Sequence, residues 1–350
     1  MYPFERGGKK KKDKEKHVTT FALLLASICG PWPLLCTPYA DDGALDDATL
    51  AREARFVADC GVNGVIWPAA DDALKLLTPE EERCGLAAIA SALDAAGGSV
   101  GFAPCCPGTN LVDTLRRVSD AADIARAHPN LKMALLVRMC NDATDEAAYE
   151  RQYEAIAAAL AARVSQGERA IPVIIQTFNG SSPMPSVKLL VDLARRHPQT
   201  YGWYKVEGSG GDIAACATAL VAAQPVVKTV FTGWGGRDWL YHHRAIGTRG
   251  VISQRPMYAD LMARLWRALE AGDPQADELF AKFMYLRNLD SVLPSGQMRG
   301  WNLYVLKKRG VFRNTLSREA KAGSGWRLTD LALTDAQRAE VDRRLAYALK

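Results

Sequence analysis

A lysine and a glutamate two residues apart follow a short aromatic and apolar run in the middle of the chain. The run covers residues 201–204, and Lys205 and Glu207 come directly after it. Side chains alternate along a strand, so these two charged groups point the same way. Burial disfavours the charged form of a lysine, and a neutral amine can attack a carbonyl carbon to form a Schiff base. The spacing predicts a catalytic pair; the structural alternative is a strand-end lysine that is solvated or paired with Glu207.

Short apolar runs alternate with amphipathic, alanine-rich stretches on both sides of this pair. Eight strands are predicted, over residues 33–37, 64–67, 99–104, 132–139, 171–177, 201–205, 227–232 and 250–253. A helix is predicted after each, over residues 46–60, 78–96, 109–128, 144–163, 185–197, 212–223, 239–246 and 258–271. Regular alternation implies right-handed crossovers between parallel strands, and eight units suffice to close a barrel. The predicted fold is a (β/α)8 TIM barrel of the α/β class; an open doubly wound sheet is the alternative.

The barrel is predicted to occupy residues 31–272, between two segments of different character. Residues 1–30 are predicted to be a disordered basic leader. Residues 273–350 are predicted to be a wholly helical extension, with helices over 275–293, 296–308 and 334–349. The charge run at 9–16 and the apolar run at 21–29 are similar to an export signal, but no small-residue cleavage site follows. We therefore predict a cytoplasmic protein, with an N-terminal export signal as the alternative.

Composition excludes several classes of partner. The chain has 44 Lys and Arg against 39 Asp and Glu, a net charge of +5, and most of this excess lies in the first 16 residues. The body of the chain therefore offers no compositional reason to expect nucleic acid. The apolar run near the N-terminus is too short to span a bilayer, so no membrane partner is predicted. Eight cysteines without a CxxC pair favour buried free thiols over a zinc site or disulfides.

The predicted strand ends carry further polar residues. In a barrel of this kind the functional groups lie at the carboxyl ends of the strands. Beside the catalytic pair, these ends offer four candidates for substrate binding: Thr37, Arg138, Gln176 and Ser253. A guanidinium binds carboxylates in a fork, so Arg138 is predicted to hold a substrate carboxylate, with a salt bridge in the barrel mouth as the alternative.

Metal and histidine chemistry are not predicted at these strand ends. Four histidines fall on predicted helices or helix ends, where surface positions are expected: His128, His197, His242 and His243. Asp71 and Asp72, after the second strand, could bind a divalent cation, but acidic pairs in loops are more often turn formers. The site is therefore predicted to need neither a metal nor an organic cofactor.

Seven short segments between residues 36 and 253 match a known protein family in their order and spacing, and the resemblance extends over about residues 32–309. They are CTPY at 36–39 with DGALD at 42–46, GVNGV at 61–65, LTPEEER at 77–83, IPVII at 171–175, Lys205, FTG at 231–233 and GVIS at 250–253. In this order they resemble the dihydrodipicolinate synthase / N-acetylneuraminate lyase family of class I aldolases. The resemblance implies a barrel, a Schiff base on Lys205, a small-molecule 2-oxo acid or sugar acid as substrate, and a homo-oligomer (dimer or tetramer).

Two departures set the chain apart from that family's pattern. Residues 69–73 read AADDA in place of the family's Gly-Thr-Thr-Gly-Glu turn, which grips the keto-acid carboxylate. Gln176 stands where the family has a proton-shuttling tyrosine, and an amide is neither an acid nor a base. The predicted function is a divergent Schiff-base lyase or aldolase. The alternatives are a hydro-lyase that removes water from a sugar acid through the same imine, and a catalytically silent barrel that binds a small acid.

Overall fold

The computed structural model describes residues 28–69, 76–106, 108–178, 184–208, 213–253, 255–293, 297–323 and 325–350. Short strands alternate with helices through most of this part of the chain. The barrel strands are β1 (Gly30–Pro33), β2 (Gly64–Trp67), β3 (Gly101–Pro104), β4 (Leu135–Arg138), β5 (Val173–Gln176), β6 (Trp203–Val206), β7 (Thr229–Thr232) and β8 (Gly250–Ser253). The helices are α1 (Asp47–Asp59), α2 (Pro79–Ala95), α3 (Leu111–Ala127), α4 (Glu146–Ser165), α5 (Val187–Arg196), α6 (Ile213–Ala222), α7 (Trp239–Tyr241) and α8 (Ala259–Ala271).

The eight strands pair in parallel and close into a barrel. Six of them follow the order β1-β8-β7-β6-β5-β4, and β2 pairs with β3. Bridges from Leu34 to Ile66 and from Cys105 to Leu136 join β1 to β2 and β3 to β4. The predicted (β/α)8 barrel is therefore confirmed, and the open-sheet alternative is wrong because each of these strands has a neighbour on both sides.

β1 begins at Gly30 and ends at Pro33, so it shares only Pro33 with the strand predicted over residues 33–37, and it contains two prolines, Pro31 and Pro33. Odd-numbered residues of this strand direct their backbone groups toward β2, where Pro31 O accepts from Asn63 N at 3.1 Å. Proline has no backbone N–H, so both positions lack a donor on that side. The β1–β2 contact is correspondingly sparse, whereas the even-numbered residues face β8 and keep a full parallel register.

Bulky side chains fill the barrel below its carboxyl end. The interior cluster includes Trp32, Trp203 and Phe231. Gly64 and Gly101 face the indole of Trp32, and a Cβ at either position would lie 2.3 or 2.5 Å from a ring atom. The large indole and the two small residues therefore complement each other, and the amino-terminal part of the barrel is packed with side chains.

The C-terminal part contains four helices and a hairpin. The helices are α9 (Gln275–Arg287), α10 (Leu289–Val292), α11 (Gln297–Lys308) and α12 (Asp335–Ala348). The hairpin strands, β9 (Leu316–Ala320) and β10 (Trp326–Asp330), pair antiparallel. The helical extension is confirmed. The expectation that it is wholly helical is wrong, because β9 and β10 form a hairpin. Charged residues interrupt the apolar pattern of these two strands, so the pattern did not indicate them. No described helix is both long and apolar enough to cross a bilayer.

Arg318 fastens this hairpin to loops at the carboxyl end of the barrel. Its side chain is 3% exposed, lies 4.1 Å from the ring of Trp326 and donates to Gly43 O at 2.9 Å. It also donates to both carboxylate oxygens of Glu81, near the start of α2. Burial alone would raise the pKa of Glu81, but hydrogen bonds from Arg318 and Thr78 outweigh it and leave that pKa below its ordinary value.

Changing Arg318 to methionine should lower the free energy of unfolding by about 2–3 kcal/mol at pH 7, because charge-assisted hydrogen bonds are lost. The folded-state pKa of Glu81 lies below the unfolded value of 4.5. The Glu81 contribution is therefore present above that value and is lost as the pH falls through the folded-state value. Urea unfolding of both proteins at pH 7 and pH 3.5 would measure this.

The matched control is Arg327→Met, which removes a 65% exposed guanidinium from the same hairpin. Its effect should stay below about 0.5 kcal/mol. A loss in Arg318→Met that is the same at both pH values would contradict a stabilising role for the ion pair with Glu81.

Candidate active site

Lys205 and Glu207 form an ion pair inside the mouth of the barrel. Trp203, on the same face of β6, belongs to the interior cluster, so alternation directs Lys205 and Glu207 inward. Lys205 Nζ lies 3.0 Å from Glu207 Oε1, and the two residues are 5% and 8% exposed. Desolvation offsets the attraction of such a pair, so its contribution to stability is small. A buried ion pair at the carboxyl end of a barrel strand favours a functional role.

Arg138 and Gln176 lie level with Lys205 on the two preceding strands. The register pairs Arg138 with Gln176, and Gln176 with Lys205. Leu136 and Ile174, two residues earlier on those strands, belong to the interior cluster. Alternation therefore turns Arg138 and Gln176 inward as well, which gives a row of three polar side chains on neighbouring strands.

Donors hold both carboxylate oxygens of Glu207. Gln176 Nε2 donates to Oε2 at 2.9 Å, and the backbone N–H of Trp234 donates to Oε1 at 2.8 Å. Thr177 Oγ1 accepts from Glu207 N at 2.9 Å and donates to Glu207 O at 2.6 Å. These bonds keep the negative charge of Glu207 beside the amine of Lys205 and give Gln176 an orienting role.

Sequence reasoning missed the contribution of Trp234, which is a backbone donor. Its residue type gives no sign of this role. The signal that could have found it is the glycine cluster around it, Gly233, Gly235 and Gly236, directly after β7. Gly233 is required for close approach, because a Cβ there would lie 2.0 Å from Glu207 Cγ.

Arg138 has no ion pair within the described ranges of the chain. Its Nε is buried without a hydrogen-bond partner among those residues, and its backbone carbonyl accepts from Gln152 Nε2 at 2.8 Å. The salt bridge considered as an alternative therefore finds no partner in this part of the structure. A guanidinium in this position suits a ligand carboxylate.

Solved structures provide a comparison for the whole barrel. A dihydrodipicolinate synthase from Rhodopseudomonas palustris has a TM-score of 0.71 at 18% identity, over 92% of this chain and 98% of that chain. A sialic acid aldolase from Ruminococcus gnavus has a TM-score of 0.73 at 15% identity, over 92% and 97%. A dihydrodipicolinate synthase from Agrobacterium tumefaciens has a TM-score of 0.69 at 19% identity, over 93% and 99%.

This chain has the dihydrodipicolinate synthase fold. The family resemblance predicted from the seven segments is confirmed at the level of the fold, over nearly the full length of those proteins. No family model and no curated protein matches the sequence.

In this dihydrodipicolinate synthase fold, two of the predicted binding residues lie apart from the row formed by Arg138, Gln176 and Lys205. Thr37 Oγ1 accepts from Trp67 Nε1 at 3.0 Å, and Trp67 packs in the layer between the strands and the helices. Ser253 follows the interior residue Ile252, so alternation turns Ser253 toward the opposite face, away from Lys205. Neither position supports the predicted role in substrate binding.

One histidine and one loop complete the comparison with the predictions. His242 is 3% exposed, not on the surface as expected, and its Nδ1 lies 3.3 Å from Thr232 Oγ1. Burial lowers the pKa of His242, which favours a neutral ring packed behind β7. Asp71 and Asp72 lie outside the described residues of the dihydrodipicolinate synthase fold, and so do residues 1–27 of the leader predicted over residues 1–30.

Proposed function

We propose that the chain is a Schiff-base lyase or aldolase that acts on a 2-oxo acid or a sugar-derived acid, with Lys205 as the nucleophile. The observation that carries the proposal is the buried Nζ of Lys205, 3.0 Å from the Glu207 carboxylate at the carboxyl end of a barrel strand. The shared fold with a dihydrodipicolinate synthase and a sialic acid aldolase supports this reaction class. A dimer or tetramer and a cytoplasmic location stay predictions.

Lys205 becomes nucleophilic once its ammonium group loses a proton, and Glu207 is an acceptor within reach. The 3.0 Å separation permits direct transfer from Nζ to Oε1, which leaves a neutral amine. Nζ then forms a bond to the C2 carbonyl carbon of the substrate. The carbonyl oxygen leaves as water, with one proton from the amine and one from Glu207, and a C2=N iminium cation remains. The Glu207 carboxylate, negative again, stabilises this cation at short range.

The iminium then accepts the electron pair of a neighbouring bond. In cleavage, the C3–C4 bond breaks, the C4 hydroxyl loses its proton to become a carbonyl, and the pair forms an enamine between C2 and C3. In dehydration, C3 loses a proton and the C4 hydroxyl takes up a proton and leaves as water. Glu207 is the carboxylate beside the imine that can exchange these protons, since Gln176 is neither an acid nor a base. Product analysis distinguishes the two routes.

Borohydride trapping of the wild-type protein tests the proposal. Reduction in the presence of the correct 2-oxo acid should fix a covalent adduct, and mass spectrometry should place it on the peptide that contains Lys205. A broad panel of 2-oxo acids that gives no adduct at Lys205 would favour the catalytically silent barrel.

Lys228 provides an internal control for this trapping. Burial lowers the pKa of Lys228 to about 8, so its amine is also reactive toward general reagents. It lies just before β7, with its Nζ 4.1 Å from the ring of Trp203. A substrate-directed adduct should form at Lys205 and not at Lys228, whereas non-specific modification would mark both.

Changing Arg138 to alanine should raise KM for the 2-oxo acid by about tenfold to a hundredfold, because a charge-assisted bond to the substrate carboxylate is lost. Arg138→Lys should recover part of the effect, since it keeps the charge but not the fork. The exposed Arg126 provides the control, and Arg126→Ala should leave KM unchanged. Steady-state kinetics measures all three; an unchanged KM in Arg138→Ala would remove Arg138 from the site.

A further inference from the structure

Trp234 has a left-handed backbone conformation that its residue type disfavours. Its φ is 49°, and it is the only non-glycine residue with a positive φ in the part of the chain that the structure describes. Gly235 and Gly236 continue the turn, with φ of 63° and 78°. A bulky residue stays in this conformation only when its surroundings hold it, and such residues cluster at functional sites.

Contacts on every part of Trp234 hold this conformation. The backbone N–H donates to Glu207 Oε1 at 2.8 Å, and the indole Nε1 donates to Gly208 O at 2.9 Å. The indole packs against Phe178, with ring centroids 5.3 Å apart. The backbone carbonyl accepts from Arg287 Nη2 at 3.1 Å. The peptide of Trp234 is therefore fixed between the catalytic carboxylate on one side and an arginine on the other.

Arg287 is the last residue of α9 and is half buried. It makes no ion pair with any described residue, and its Nε has no hydrogen-bond partner among them. Burial, together with the nearby guanidinium of Arg255, lowers the pKa of Arg287. A half-buried cation without an ion pair of its own is unfavourable, so its bond to the Trp234 carbonyl is better explained by its effect on the turn than by stability.

The turn at 234–236 is packed tightly between Glu207 and α9. A Cβ at Gly236 would lie 3.0 Å from Cζ of Phe283, which is also on α9. On the other side, Gly233 approaches Glu207 so closely that no side chain fits. Because these groups are closely packed, a shift of α9 would displace the turn and, with it, the Glu207 carboxylate.

We propose that Trp234 and Arg287 are positioning residues for Glu207, and that α9 sets through them where the carboxylate lies relative to Lys205 Nζ. The inference rests on the proposed function, in which Glu207 exchanges protons and stabilises the iminium. Arg287 acts on the carboxylate through the peptide of Trp234, so its effect should depend on the charge of Glu207.

Kinetics of Arg287→Met tests this dependence. Turnover should fall about tenfold to a hundredfold with KM changed less than about twofold, because the carboxylate is misplaced while the substrate contacts remain. Adding Arg287→Met to Glu207→Gln should cause no further fall, since the two residues act as one unit. Arg287→Lys should recover most of the turnover. Arg244→Met, which removes a 45% exposed partner of Asp277 on α9, should leave turnover unchanged. Additive effects of Arg287→Met and Glu207→Gln would overturn the proposal.

Trp234→Gly provides a second variant that is expected to fold. Glycine adopts the left-handed conformation without steric cost, but it loses the indole contacts that fix the peptide. Its turnover should fall as in Arg287→Met, again with no further fall in the Glu207→Gln background. Wild-type turnover in Trp234→Gly would overturn the role of Trp234.

Labelling of Lys205 by acetic anhydride gives a readout that needs no substrate. Loss of a nearby carboxylate favours the neutral, reactive amine, so Glu207→Gln should be labelled at least about threefold faster than wild type at pH 7. Arg287→Met should show a similar increase, and the double variant no more than either. If the wild type forms no imine with any 2-oxo acid, the proposed function fails while this comparison still tests the positioning. An unchanged labelling rate in Arg287→Met would overturn it.

Discussion

Changing Lys205 to methionine is expected to abolish the borohydride-trapped adduct and to lower turnover by about four orders of magnitude or more. In the proposed mechanism the amine supplies the electron pair for the imine, and loss of a covalent nucleophile has effects of this size. Methionine matches the aliphatic part of the lysine side chain as far as Cε, so the packing around Trp203 should be retained. Mass spectrometry of the reduced mixture and steady-state kinetics measure the two effects. Retained turnover in Lys205→Met would rule out imine chemistry at this residue.

The same substitution should also reduce stability, for a separate reason. It leaves Glu207, which is 8% exposed, without its ammonium partner, and such a loss costs about 3–5 kcal/mol. Combining Lys205→Met with Glu207→Gln removes both charges and should recover most of the free energy of unfolding, but none of the turnover. This comparison separates the catalytic effect from the effect on folding, since only stability should return in the double variant.

Changing Glu207 to glutamine is expected to let the adduct form and to lower turnover by about a hundredfold to a thousandfold, the effect of removing one group that stabilises charge in a transition state. The amide keeps the shape of the side chain but cannot neutralise the iminium or exchange its protons. Rapid-quench trapping should therefore show the adduct accumulating before product appears. Gln176→Leu is the matched variant, because it removes one donor to Glu207 and keeps the charge; its effect should be smaller.

Two other outcomes would contradict the role of Glu207. Unchanged turnover in Glu207→Gln would place the carboxylate outside the reaction. Failure of the adduct to form at all would show that no other acceptor replaces Glu207 for the Lys205 proton, which would contradict the expected accumulation of the adduct.

The barrel could be predicted because its signals are local. Caps such as Thr78 with Glu81 at the start of α2, and apolar runs between helices, mark each unit. The strand predicted over residues 33–37 starts three residues too late because Pro31 resembles a strand breaker, and β1 contains both Pro31 and Pro33. They are tolerated there since β8 supplies the bonds on the other side of β1.

The hairpin and half of the site depend on distant contacts and could not be predicted in the same way. Arg318 is buried because it bonds to Glu81, which is distant in sequence, and packs on the ring of Trp326. Neither contact can be recognised from the local sequence pattern. The pairing of Lys205 with Glu207 could be predicted from the sequence, because side chains two residues apart on a strand point to the same face. The donor from Trp234 is a backbone group, and Arg287 reaches it from 53 residues further along the chain.

The packed interior below Lys205 has a kinetic consequence. Trp203, Ile174 and Phe231 fill the barrel on the amino-terminal side of the lysine, so substrate and products exchange through the carboxyl mouth. In the proposed cleavage, the fragment still joined to Lys205 would lie deeper than the free aldehyde and would leave only after hydrolysis of the imine. Release should therefore be ordered, with the aldehyde leaving first. The 2-oxo acid product would then inhibit competitively against substrate, and the aldehyde noncompetitively.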